Sequence, residues 1–204
     1  MSDDRESRTP WYPGFTRIAT YILYSQALKE CFLNVKWSLG GFMLFIALTI
    51  TIVRHFITNI LLEEKVRRDS LPPPAEGFST FWLACFLAGA ASLAARYQAD
   101  ARLPYLLLAV TALDALWAVR LWGGARATPG KCRHALRTKL ALDIFSAVFI
   151  VTMLAFFPVQ AVAGQALAPP MDYMITTALM ALSAVDFLLN SKFYLLERGP
   201  PAAG

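Results

Sequence analysis

Charged residues, histidine and cysteine are scarce in this chain, and each shortage argues against a class of protein. Charged side chains make up 16% of the 204 residues and hydrophobic ones 57%, whereas water-soluble domains carry about 25% charged residues. The three cysteines have no CxxC spacing among them. The sequence therefore indicates neither a water-soluble domain nor a fold held by disulfides or a structural zinc.

Motifs for catalysis and cofactor binding are also lacking. The chain contains no P-loop, no dinucleotide fingerprint, no GxSxG and no HExxH sequence. Its two histidines are His55, beside Arg54, and His134, in a basic segment, whereas a bis-histidine haem would need both to face the interior. We expect neither an enzyme nor a protein that binds a metal or another cofactor.

Long apolar runs are what the sequence has instead. About 20 helical residues cross the roughly 30 Å hydrocarbon layer of a bilayer, and five runs reach or approach that length. The prediction is an all-α polytopic membrane bundle over residues 37–198, followed by a tail over 199–204, with spans at 37–62, 78–95, 103–122, 140–162 and 171–196. The first helix is expected to continue to about Arg68, before Leu71-Pro72-Pro73-Pro74.

The N-terminal segment, residues 1–36, combines a polar tail with an amphipathic stretch. Arg17, Lys29 and Glu30 would be costly at mid-bilayer, yet apolar residues recur between them at loosely helical spacing. An interfacial helix lying along the lipid head groups fits this pattern. A helix docked on the surface of a partner protein fits it as well.

The distribution of lysine and arginine predicts the orientation. The connectors after the first and third spans, together with the C-terminus, carry twelve of these residues, and the opposite side carries seven. The excess places the C-terminus on the cytoplasmic or matrix side, in either a bacterial plasma membrane or a mitochondrial inner membrane. Because the basic residues lie at helix ends, we expect contact with the lipid bilayer and no binding of nucleic acid.

Three carboxylates lie in or beside the apolar runs, each with a base nearby in sequence. Asp114 precedes Arg120 by six residues, Asp186 precedes Lys192 by six, and Asp143 follows Lys139 by four. Intramembrane acids often mark ion or proton paths. With no histidine, tyrosine or glutamate expected beside them, however, we favour structural ion pairs over a hydrated, ion-binding pocket.

Small residues line the second span. Ala84, Ala88 and Ser92 recur at intervals of four, a spacing that lets helix backbones approach closely in lipid. Packing within the same chain and packing against another chain both fit this pattern.

The absence of a reaction motif and of an extramembrane domain, together with this small-residue helix, predicts a non-catalytic subunit of a larger membrane protein complex. Its partners would then be other membrane subunits, with a homo-oligomer as a second form. The alternative is a small homo-oligomeric ion or proton channel, or a membrane effector, that uses the intramembrane carboxylates.

Overall fold

Helices are the regular elements of the computed structural model, which describes residues 12–69, 77–124, 130–157, 165–167 and 169–194. They are α1 (Tyr12–Leu33), α2 (Leu39–Asp69), α3 (Gly77–Arg96), α4 (Leu103–Gly124), α5 (Gly130–Phe156) and α6 (Pro169–Tyr194). The predicted tails, residues 1–10 and 199–204, lie outside the described residues. Over the described ranges the all-helical prediction is confirmed.

Four helices contain segments long and apolar enough to cross a membrane. These segments are Leu39–Glu63, Leu103–Trp122, Arg133–Phe156 and Pro170–Ser191. The described apolar part of α3, Trp82–Arg96, is shorter than such a span. The fold is thus consistent with an integral membrane protein, and the fifth span stays a prediction.

The helix ends agree with the sequence at α2 and differ at α5. Helix α2 continues to Asp69, as the proline run after it predicts. Helix α5 begins at Gly130, and its candidate span ends at Phe156, so this span lies nearer the N-terminus than the predicted 140–162. The basic segment before residue 140 is therefore largely helix rather than loop, and Pro158 follows soon after the helix ends.

Helix α1 runs lengthwise along the bundle and contributes to its core. Two aromatic contacts show that α1 and α2 are antiparallel. The ring centroids of Phe32 and Phe45 are 5.1 Å apart, and those of Tyr24 and Phe56 are also 5.1 Å apart. Tyr24 and Cys31 are buried, and α1 packs most extensively against α3. Helix α1 therefore packs against the other helices along much of its length. Its position at the lipid head groups stays a prediction.

The six helices close into a ring in the order α1, α3, α4, α5, α6, α2, and α2 also reaches α4 and α5 across the interior. Two apolar clusters fill this interior at different heights. The larger includes Ile52, Val110 and Ile150, and the smaller includes Leu62 and Trp117. The buried residues that lie between these clusters along α2, α4 and α5 are polar, and they belong to the candidate site.

Candidate functional site

A layer of polar and charged side chains, all buried except the partly exposed Arg54, crosses the bundle between the two apolar clusters. We call it the polar layer; its members are Tyr24, Arg54, His55, Asn59, Asp114, Lys139, Asp143, Asp186 and Asn190. They come from α1, α2, α4, α5 and α6. Asp114 precedes the end of its candidate span at Trp122 by eight residues, or about 12 Å of helix, which places the layer well inside the bundle.

Asp114 is the centre of the layer and is fully buried. Its Oδ2 forms an ion pair and hydrogen bond with Lys139 Nζ of α5 and lies 2.5 Å from His55 Nδ1 of α2. Its Oδ1 accepts a hydrogen bond of 3.2 Å from Asn59 Nδ2, which also lies 3.4 Å from the Tyr24 hydroxyl. One carboxylate thus joins α2, α4 and α5, and Asn59 extends the contact to α1.

Lys139 also connects Asp114 to Asp143. Its Nζ lies 3.9 Å from Asp143 Oδ2, one helical turn further along α5. The same ammonium stands 5.9 Å from the ring centroid of Trp117, a member of the smaller apolar cluster. The lysine is almost completely buried, so its charge is balanced by these carboxylates rather than by water.

A second ion pair continues the layer towards α6. Arg54 Nε lies 3.8 Å from Asp186 Oδ2, and Asn190 Nδ2 donates a hydrogen bond of 2.7 Å to Asp186 Oδ1. Arg54 Nη2 lies 3.2 Å from His55 Nε2, so the two ion pairs meet through neighbouring residues of α2. The three carboxylates therefore belong to one connected network.

Of the three predicted acid–base pairs, the structure brings Lys139 and Asp143 together. Asp114 contacts Lys139 and His55 instead of Arg120, whose side chain is exposed. Six residues turn a helix through 600°, so Asp114 and Arg120 point about 120° apart around α4. The same spacing separates Asp186 from Lys192, whose side chain lies outside the described part of the chain.

Sequence reasoning missed the contribution of α2. We expected no histidine or tyrosine beside the carboxylates, yet His55 touches Asp114, and Tyr24 adjoins Asn59. The count of twelve basic residues includes Arg54, near the end of the first span, and Lys139. Both side chains lie in ion pairs inside the bundle, which lowers the count on that side to ten. A usable signal was present: Thr51, His55, Thr58 and Asn59 recur every three to four residues, which marks a polar helix face.

A cavity adjoins the layer between α2, α4, α5 and α6. Its volume is about 40 Å³, and its polar lining consists of Thr51, Arg54, His55, Thr111, Asp143 and Ser146. The remaining wall is aliphatic and aromatic, with Leu107, Phe149 and Leu179 among its residues. Polar groups of three helices therefore converge on a small, otherwise apolar space.

The small-residue face of α3 packs inside the chain. Ala88 is completely buried and belongs to the larger apolar cluster, while Ala84 lines a small cleft that also includes Tyr24 and Asn59. Ser92, one turn further along, is half-buried. This removes the need to invoke a second chain to explain the pattern.

No family model, no curated protein and no solved structure matches this chain. Among the residues that the structure describes, no group of three or more histidine, cysteine, aspartate or glutamate side chains is arranged to hold a metal ion. The function must therefore be argued from the polar layer itself.

Proposed function

We propose that this chain is a membrane protein that moves a small cation, either a proton or a monovalent metal ion, through its polar layer. The observation that carries the proposal is the convergence of Asp114, Asp143 and Asp186, from three helices, on Arg54, His55 and Lys139. Ionisable side chains inside a membrane bundle are rare and often mark ion or proton pathways.

Stability alone is a poor explanation for this arrangement. Removing an ion from water costs several kcal/mol even after the protein relaxes, and well-packed apolar side chains of similar volume often stabilise a core equally well. Here four charged side chains, Asp114, Lys139, Asp143 and Asp186, are buried in one layer beside the partly exposed Arg54, with apolar clusters on both sides. Transport of charge gives a reason for keeping them.

The balance of charge in the layer also supports a cation. With Arg54 and Lys139 both in their charged forms, three carboxylates face two cations, so a neutral His55 leaves one negative charge unbalanced. A bound proton or a monovalent cation makes the layer neutral. A bound anion would instead increase the excess of negative charge in the layer.

Ion flux into liposomes tests the proposal. The purified full-length chain is reconstituted, and the flux of H⁺, Na⁺ and K⁺ is compared with that of protein-free vesicles. The double variant Asp114→Asn/Lys139→Met removes both charges of the closest ion pair and takes its cation only from the weakly paired Asp143, so it should fold and yet lose at least tenfold in flux. Asp100→Asn is the matched control, because the Asp100–Arg102 pair lies outside the polar layer. Flux equal to that of empty vesicles for all three ions, or unchanged flux in the folded double variant, would refute the proposal.

The non-catalytic subunit predicted from sequence remains the rival proposal, with weaker support. Ala88, the middle residue of the small-residue face, is buried within the chain, and Ala84 and Ser92 are partly buried. Native mass analysis after mild extraction separates the two proposals. A stoichiometric heteromeric complex, combined with no flux by the isolated chain, would favour the subunit.

A further inference from the structure

Among the three carboxylates, Asp143 has the weakest contacts. Asp114 is contacted by Lys139, His55 and Asn59, and Asp186 by Asn190 and Arg54. Asp143 has Lys139 at 3.9 Å, beyond hydrogen-bonding distance. Its Oδ2 is buried and accepts no hydrogen bond from any residue that the structure describes.

This carboxylate lines the 40 Å³ cavity together with Arg54, whose buried Nη1 likewise has no hydrogen-bond acceptor among the described residues. A buried donor and a buried acceptor on one cavity wall are what a bridging water satisfies, and the volume is sufficient for a few water molecules. A water molecule here can accept from Arg54 and donate to Asp143. Both unsatisfied groups then gain a partner.

Three hydroxyl groups on the cavity wall offer their oxygen atoms as hydrogen-bond acceptors. Thr51, Thr111 and Ser146 each donate their hydrogen to the carbonyl four residues earlier, at 2.8, 2.8 and 2.7 Å. Their oxygen lone pairs remain available to water in the cavity. Water there can therefore be held from α2, α4 and α5 at once.

The same wall disfavours a metal ion. Sodium or potassium that has lost its hydration shell needs several oxygen ligands around it, whereas this cavity presents the permanently charged Arg54 guanidinium and a largely apolar surface. A proton needs only a carboxyl group and a water molecule. The cavity wall combines a hydrogen-bond donor, several acceptors and one carboxylate with few contacts. It therefore suits the binding of a proton better than the binding of a metal ion.

We infer that the transported ion is a proton and that Asp143 is its binding residue, exchanging it with water in the cavity shared with Arg54. This inference rests on the proposed transport function. In the release step, the Oδ2–H bond of protonated Asp143 breaks and the proton joins a water oxygen, which leaves a carboxylate and a hydronium ion. Uptake is the reverse step, and no other reactant is needed.

The groups facing Asp143 determine how readily it exchanges the proton. Burial and the negative charges of Asp114 on α4 and Asp186 on α6 favour the protonated form, while Lys139 on its own helix and Arg54 on α2 favour the carboxylate. His55 on α2 adds a positive charge only when it is itself protonated. These opposing influences surround one carboxyl group, and they permit both uptake and release.

Proton flux, read by a pH-sensitive dye trapped in liposomes, tests this inference. Asp143→Asn should lower the rate at least tenfold while it preserves folding, because it replaces a weakly paired carboxylate with a neutral side chain of the same shape. Asp143→Glu should retain part of the flux, and Asp100→Asn should match the wild type. Wild-type flux of Na⁺ or K⁺ without H⁺ would overturn the assignment of the proton but leave the proposed transport function intact, whereas no flux of any ion would remove both.

A measurement independent of transport covers the case in which Asp143→Asn fails to fold. Infrared difference spectroscopy of the wild type across a pH titration should reveal the C=O stretch of a protonated carboxyl group, shifted by exchange into heavy water. Asp143→Glu should move this band, and Asp114→Asn should leave it present. A band unaffected by Asp143→Glu, or no such band at any pH, would contradict the inference.

Discussion

The ion pair between Asp114 and Lys139 allows a quantitative test of the polar layer. Both side chains are almost completely buried, so removing one leaves the other charged and without water. Breaking a buried pair in this way costs about 3–5 kcal/mol, whereas replacing both partners with neutral groups is often close to neutral. The two single variants and the double variant therefore form a thermodynamic cycle with a large expected coupling.

The surroundings of each residue set the expected values. Asp114→Asn should lower the free energy of unfolding by about 3 kcal/mol, at the lower end of the range for a broken buried pair, because Asp143, 3.9 Å from Lys139, still balances the ammonium. Lys139→Met should lower it by about 5 kcal/mol, since two carboxylates lose the cation that they share. The double variant should lose no more than about 2 kcal/mol, which gives a coupling energy far above the ~0.5 kcal/mol expected for independent sites.

Unfolding in mixed detergent micelles, followed by circular dichroism and by the fluorescence of Trp117 and the other tryptophans, supplies the free energies. Asp100→Asn is the control, because the Asp100–Arg102 pair is partly exposed and its loss should cost about 1 kcal/mol or less. If the losses of the two single variants simply add in the double variant, the buried pair does not hold the layer together. The argument from desolvation would then be wrong.

Three further predictions concern other parts of the chain. In a cysteine-free background, single cysteines that replace Thr128 and Gly164 should be labelled by an impermeant maleimide from opposite sides of the membrane. The reason is that the connector around Thr128 is rich in lysine and arginine and the one around Gly164 has none. Labelling of both cysteines from one side would contradict the predicted topology. Ala88→Leu should lower the free energy of unfolding of the isolated chain by about 1–3 kcal/mol, because the larger side chain overpacks a fully buried position within the bundle. An unchanged melting curve would contradict that burial. Cys31 is fully buried and should react with a small thiol reagent only on unfolding, whereas the partly exposed Cys85 should react in the folded protein. Equal reaction rates of the two cysteines under native conditions would contradict the packing of α1.

The sequence by itself determined which segments are helical and that several of them suit a membrane. Length, hydropathy and proline positions are properties of a continuous stretch, so α2, α4 and α6 lie close to their predicted ranges. The pair formed by Lys139 and Asp143 was predictable for the same reason, because a spacing of four residues places both on one face of a single helix. Whatever depends on one helix alone can be read in this way.

Tertiary structure decided which side chains meet. Asp114 and Lys139 are 25 residues apart in sequence, and Arg54 and Asp186 are much further apart. Their contacts depend on how each helix is rotated about its axis and shifted along its neighbours. In helices that are apolar on most sides, the hydrophobic pattern does not specify that rotation. The polar layer, the cavity beside Asp143 and the packing of α1 within the bundle therefore follow from the packing of six helices, which no single segment of the chain encodes.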